Sequence, residues 1–210
     1  MTTGAAPLYP ASLVVSGRAC LVVGAGQVAT RKAVPLAECG ADLTVVAPDV
    51  GPEMERLADR YPVTLERRAY ARGEAAAYDL VVSATGVADV DRLVASDARR
   101  AGAWVNVASD AGACTFFVPA VHRDGRVTVA VSTGGASPAL AGWLRDRVAT
   151  ALGPGLGSLA DLLAEARRRA GPVGGRRPRD WRTLLDGPLP RLVATGRLAE
   201  ARRLLETPPG

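Results

Sequence analysis

Short apolar runs alternate along the first half of the chain with segments whose apolar positions recur every three to four residues. The runs cover residues 19–23, 43–47, 63–66, 79–85 and 103–107. Apolar character over so few residues predicts strands, and the longer periodic segments at 27–39, 53–60 and 87–101 predict helices. In the last of these helices Val90, Leu93, Val94 and Ala98 share one face. Gly40 is placed to stop the first helix, and Pro48 to end the second strand. Strand-helix alternation of this kind predicts an α/β domain with a Rossmann-like, doubly wound parallel sheet, in which ligands bind beyond the carboxyl ends of the strands. Thr85, Asn106 and the residues after them are therefore expected to line that crevice.

Past residue 112 the rhythm changes from strand-helix to strand-turn-strand. Two β-rich runs, 116–121 and 127–132, flank Asp124-Gly125, a strong hairpin signal. Ser137 then stands ready to cap a helix that opens with Pro138 and runs to about Thr150. Gly153-Pro154-Gly155 marks a break. Beyond it Ser158, with Asp161 three residues on, predicts the capped start of an Arg-rich helix reaching Ala170. A loop over 172–178 and helical stretches at 180–185 and 190–206 complete a small all-helical module. The expected organisation is thus a Rossmann-like domain (1–112), a hairpin-and-helix central region (113–150) and a helical carboxyl-terminal module (151–210).

The first strand-to-helix junction carries the most specific chemistry, Gly24-Ala25-Gly26-Gln27-Val28-Ala29. Gly24 permits a tight turn, Gly26 lets backbone approach a pyrophosphate, and Ala29 is small enough for close helix packing. Unpaired N–H groups at the helix start and the positive end of its dipole favour a phosphate there. Asp49 follows Ala29 by 20 residues, within range of an adenosine ribose. The expected cofactor-binding residues are Gly24, Gly26, Gln27, Val28, Ala29, Pro48, Asp49 and Thr85. The lack of Arg or Lys at 47–51 favours NAD over NADP, with Arg31 and Lys32 the nearest cations that could reach an extra phosphate.

Composition narrows the setting. The chain of 210 residues is 48% apolar, enough for one full domain and a smaller one, yet no apolar stretch approaches the roughly 20 residues that span a bilayer. Residues 1–10 lack a basic cluster followed by an apolar core, so no secretory signal is expected. Cys20, Cys39 and Cys114 fit neither a disulfide framework nor a zinc site, which suits a reducing cytoplasm. Residues 1–150 hold 15 basic and 15 acidic side chains, so the whole net charge of +5 arises in 151–210, with 11 and 6. With 4% aromatic residues and no recognition motif, a solvated face or an anionic small molecule explains those arginines better than nucleic acid.

Several stretches together carry a family likeness: Gly24–Ala29 followed by Arg31-Lys32, then Thr44-Val45-Val46-Ala47-Pro48, Val105-Asn106-Val107 and Phe116-Phe117-Val118-Pro119-Ala120. The most specific is the run from Val129 to Ala141, with Ser132-Thr133-Gly134-Gly135-Ala136-Ser137-Pro138 at its centre. Over residues 8–150 the chain resembles the precorrin-2 dehydrogenase family, also met as the amino-terminal half of siroheme synthases. The resemblance implies oxidation of precorrin-2 to sirohydrochlorin with NAD accepting a hydride, and a homodimer. In some relatives it extends to insertion of ferrous iron as a second substrate. Because only the short helical module follows residue 150, no counterpart of the methyltransferase half of the fused enzymes is expected. No protein metal site is expected, so any iron would be held by the macrocycle.

Aligned on Pro119, the family's catalytic aspartate falls at Ser109, and Asp110 is the next residue. Asp110 is the only carboxylate between Asp97 and Asp124, which makes it the candidate proton acceptor; a turn or helix-cap role is the alternative. Ser109 is a candidate for orienting water or substrate, against a local backbone bond. Ser132 is a candidate substrate contact, against a simple turn role. His122 lies near the hairpin turn and is expected at the surface, and Cys114 is expected to be a small buried residue. The competing function is a non-catalytic dinucleotide sensor that signals through its helical tail, which would need the glycine turn but neither Asp110 nor Ser132.

Overall fold

The computed structural model describes residues 7–170 and 181–206, and the chain divides into two compact units, Met1–Val118 and Pro119–Gly210. The predicted 172–178 loop lies outside the described residues. The first unit runs β1 (Ala19–Val23), α1 (Gln27–Glu38), β2 (Asp42–Val46), α2 (Pro52–Arg60), β3 (Val63–Glu66), β4 (Leu80–Ser83), α3 (Ala88–Ala101) and β5 (Trp104–Val107). All five strands are parallel in the order β3-β2-β1-β4-β5. Chain reversal on both sides of β1 is the doubly wound pattern, and it opens a crevice beyond β1 and β4. Val23 is level with Val46 and Ser83, and Ser83 with Val107, so the carboxyl ends of four strands form one edge.

Period-two alternation splits the core into two layers. Cys20, Val22, Leu43 and Val45 pack with Ala29, Ala33, Met54 and Leu57 on one face; Leu21, Val23, Val81 and Val105 pack with Val94, Ala95 and Ala98 on the other. Leu21 is fully buried, and its replacement by Ala would cost about 3 kcal/mol.

In the second unit β6 (Ala120–Asp124) and β7 (Val127–Val131) form the expected antiparallel hairpin, with Gly125 at φ +55° in its turn. The first hairpin strand begins at Ala120, later than the apolar run from 116 suggests. Helix α4 (Pro138–Leu152) is capped by Ser137, whose Oγ accepts from the Leu140 N–H at 3.2 Å.

Two expectations fail here. Helix α5 (Leu156–Ala170) starts before Ser158, which lies inside it; Asp124 Oδ2 caps the start instead, accepting from the N–H groups of Gly155 at 3.0 Å and Leu156 at 2.7 Å. The 190–206 stretch is two helices, α7 (Leu189–Ala194) and α8 (Leu198–Glu206), broken where Gly196 takes φ +75°. With α6 (Trp181–Asp186) they bury Leu159, Leu162, Leu189, Val193, Ala201 and Leu205 in a core of their own. No helix among the described residues is long and apolar enough to cross a membrane.

Candidate functional site

The β1–α1 turn is built around Gly24, whose φ is +105°. A Cβ there would fall 2.4 Å from the Ala84 carbonyl oxygen, so only glycine lets β1 leave the sheet this close to the end of β4. Gly26 serves differently. Its φ of −79° suits any residue, and a Cβ would meet nothing within 4 Å, so the position holds open space rather than a strained turn. It is the N-cap of α1, and no side chain among the described residues caps that helix. Gly26, Gln27 and Val28 are exposed, while Ala29 is fully buried against the sheet. The result is a helix start whose first N–H groups have no side-chain cap among the described residues, beside cleared space at position 26, the chemistry that suits a pyrophosphate.

The β2–α2 loop comes to the same place. The Gly51 N–H donates to the Ala25 carbonyl at 3.3 Å, which holds exposed Pro48 and Asp49 next to the glycine turn. Thr85 is also adjacent, because its Cα would lie 3.2 Å from a Gly24 Cβ. The Thr85 hydroxyl, however, is already used: it donates to Asp91 Oδ1 at 2.8 Å and accepts from the Val87 N–H at 3.0 Å. What Thr85 presents toward the turn is backbone.

Beyond β5 the expectation changes more. Asn106 does not line an open crevice; it is 5% exposed and fully engaged. Its Oδ1 accepts from Lys32 Nζ at 2.8 Å and its Nδ2 donates to the Phe116 carbonyl at 3.1 Å. Lys32 therefore points to β5, not to a ribose phosphate near Asp49, and burial holds its pKa below the ordinary lysine value. Arg31 remains exposed. Cys114 is half-buried, not a core residue: its thiol sits 3.2 Å from the Val107 N–H and 3.3 Å from the Asp110 carbonyl, pinning the loop after β5.

On that loop Ser109 and Asp110 are both exposed. Asp110 Oδ1 accepts from the Gly112 N–H at 2.9 Å, a local cap. Ser109 Oγ donates to Asp91 Oδ2 at 2.8 Å. Asp91 itself is 3% exposed and also receives Ser83 Oγ at 2.6 Å. Burial alone would raise its pKa, but the bonds from Ser83, Thr85 and Ser109 outweigh that and hold it below the ordinary aspartate value. Asp91 was not among the sequence candidates, although it occupies the same helical stripe as Val94, Ala95 and Ala98, where an acid must find partners. In the second unit Ser132 Oγ accepts from the Gly134 N–H at 3.2 Å, and His122 is half-buried on β6. Among the described residues no group of three or more His, Cys, Asp or Glu is placed to hold a metal ion.

The model of the family described as "Putative NAD(P)-binding" matches residues 11–120, more than half of the chain. The chain belongs to this family. Two further models match beyond it, "Sirohaem biosynthesis protein central" at 124–151 and "Sirohaem synthase dimerisation region" at 155–207. Among curated relatives, siroheme synthases of Methylococcus capsulatus and Chromobacterium violaceum are 39% and 38% identical, over 89% and 94% of this chain. The chain spans only 40% and 43% of their lengths. A solved structure titled "SirC, precorrin-2 dehydrogenase" is similar with a TM-score of 0.75 and 25% identity, covering 95% of this chain and 99% of that one.

Proposed function

We propose that the chain catalyses NAD-dependent dehydrogenation of precorrin-2 to sirohydrochlorin in siroheme synthesis, acting as a cytoplasmic homodimer. The observation that carries this reading is the likeness to a precorrin-2 dehydrogenase along nearly the whole of both chains. The open helix start at Gly26 supports it, since the fit to a pyrophosphate rests on cleared space and on N–H groups that no side chain among the described residues caps. The match to a dimerisation region over 155–207 supports the homodimer.

In this reading Gly24 shapes the turn, while Gly26, Gln27, Val28 and Ala29 bring the α1 N–H groups to the pyrophosphate. Asp49, held by the Gly51–Ala25 bond and preceded by Pro48, takes the adenosine ribose, and Thr85 closes the site with its backbone. NAD, when bound, supplies the hydride-accepting ring. Loss of hydride from the substrate leaves a proton to be removed, and we assign that proton to the exposed carboxylate of Asp110. Ser109, on the same loop, contacts the macrocycle, and Ser132 contacts a substrate carboxylate.

The test is anaerobic incubation of the purified protein with precorrin-2 and NAD, following NADH and the sirohydrochlorin spectrum. Asp110→Ala is expected to lower turnover at least about 100-fold and leave NAD affinity within about twofold. NAD uptake with no NADH formed would instead support the dinucleotide sensor.

A further inference from the structure

Asp91 is the buried acid nearest the candidate site, and nothing assigned so far uses it. Three of its four donors, Ser83 Oγ and the Thr85 hydroxyl and N–H at 2.6, 2.8 and 3.2 Å, belong to the β4–α3 turn and converge on Oδ1. They account for how that turn is held. The fourth comes from a different loop: Ser109 Oγ, following β5, bonds Oδ2 at 2.8 Å. A structural staple for the β4–α3 turn needs no such partner.

The chemistry of the pair fixes a direction. An ionised carboxylate can only accept, so the single Ser109 proton is committed to Asp91. What remains on the exposed side of Ser109 is lone pairs. We infer that Asp91 is a positioning residue that sets the polarity of Ser109, making its hydroxyl an acceptor dedicated to an N–H donor of the substrate. This rests on the dehydrogenase reading, in which the substrate is a tetrapyrrole and the donor a pyrrole N–H. The role is specific because the alternative polarity is one atom away. In Asp91→Asn the amide oxygen can keep the Ser83 and Thr85 bonds, while the NH2 replaces Oδ2 and donates to Ser109. The hydroxyl would then turn its proton outward and oppose an incoming N–H.

The test measures kcat and KM for precorrin-2, with NAD affinity by calorimetry, in the full-length wild type, Ser109→Ala, Ser109→Thr, Asp91→Asn and the Asp91→Asn/Ser109→Ala double variant. Ser109→Ala and Asp91→Asn are each expected to lower kcat/KM for the tetrapyrrole about 30-fold, with NAD affinity within about twofold. The double variant should be no worse than either single one, because both remove the same acceptor. Ser109→Thr, which keeps the hydroxyl, should stay within about threefold of wild type.

Wild-type turnover by Ser109→Ala, or losses that multiply in the double variant, overturns the inference and leaves the dehydrogenase reading standing. Should Asp91→Asn fail to fold, Ser109→Ala against Ser109→Thr decides: equal losses in both overturn it, and rescue by Thr supports it. A wild type that binds NAD but makes no sirohydrochlorin removes the dehydrogenase reading and the inference with it.

Discussion

The ammonium of Lys32 lies 2.8 Å from Asn106 Oδ1, tying the middle of α1 to the end of β5. Because that oxygen is occupied, the Asn106 amide must present its NH2 to the Phe116 carbonyl, and the segment after β5 is drawn back onto the strand. Lys32→Met is expected to lower unfolding free energy by about 1 kcal/mol at pH 7, since a buried amide oxygen loses its donor. The pH dependence has a definite sign. Burial lowers the Lys32 pKa in the fold from its ordinary 10.5, so the unfolded chain holds this proton more tightly. Wild-type stability relative to the variant should therefore rise as pH climbs from the depressed value toward 10.5, as denaturant melts at several alkaline pH values will measure.

The two glycines of the first turn should respond in opposite ways. Gly24→Ala forces a Cβ into the Ala84 carbonyl at positive φ and is expected to cost about 3 kcal/mol or more of stability. Gly26→Ala meets open space at an ordinary φ and should leave stability within about 0.5 kcal/mol. Its methyl group, however, occupies the proposed phosphate position, so NAD affinity is expected to fall at least about tenfold. Urea unfolding and calorimetry on the same two variants separate fold from ligand.

Asp91→Ala should cost about 3 kcal/mol at pH 7, because it strips partners from three hydroxyls, those of Ser83, Thr85 and Ser109, and from the Thr85 N–H. The folded-state pKa of Asp91 lies below its unfolded value, so its contribution is fully present above the ordinary carboxylate range. It is lost as pH falls below about 4 and passes through the folded value. The stability gap between wild type and variant should narrow in acid.

Asp124 links the hairpin to the start of α5. Asp124→Ala removes the acceptor of the Gly155 and Leu156 N–H groups and is expected to cost about 1–2 kcal/mol. Amide exchange at Gly155 and Leu156 should accelerate while that of β1 stays unchanged.

Much of this fold is legible in the chain because its strands are buried on both faces and so read as unbroken apolar runs, as at Leu21–Val22–Val23. The glycine turn is legible because steric exclusion acts over neighbouring residues. Apart from the 190–206 helix, which breaks locally at Gly196, the failures share one cause: the deciding partner is remote in sequence. Ser158 has the composition of an N-cap, but the carboxylate of Asp124, brought alongside by the hairpin, caps the helix two residues earlier. Asn106 reads as a ligand-facing polar residue until Lys32 is seen to reach it. Asp91 reads as an ordinary acid early in a helix, and only the loop after β5 gives it a second side.

The closeness of Gly24 to the Ala84 carbonyl has a consequence for how this sequence can diverge. Around the phosphate position, Gln27 and Val28 are exposed and can change with little effect on folding, whereas position 24 accepts a hydrogen and nothing larger. A lineage that abandoned the nucleotide would be free to substitute position 26 at once, yet would keep glycine at 24 for as long as it kept the sheet. A glycine retained there testifies to architecture; one retained at 26 testifies to a ligand.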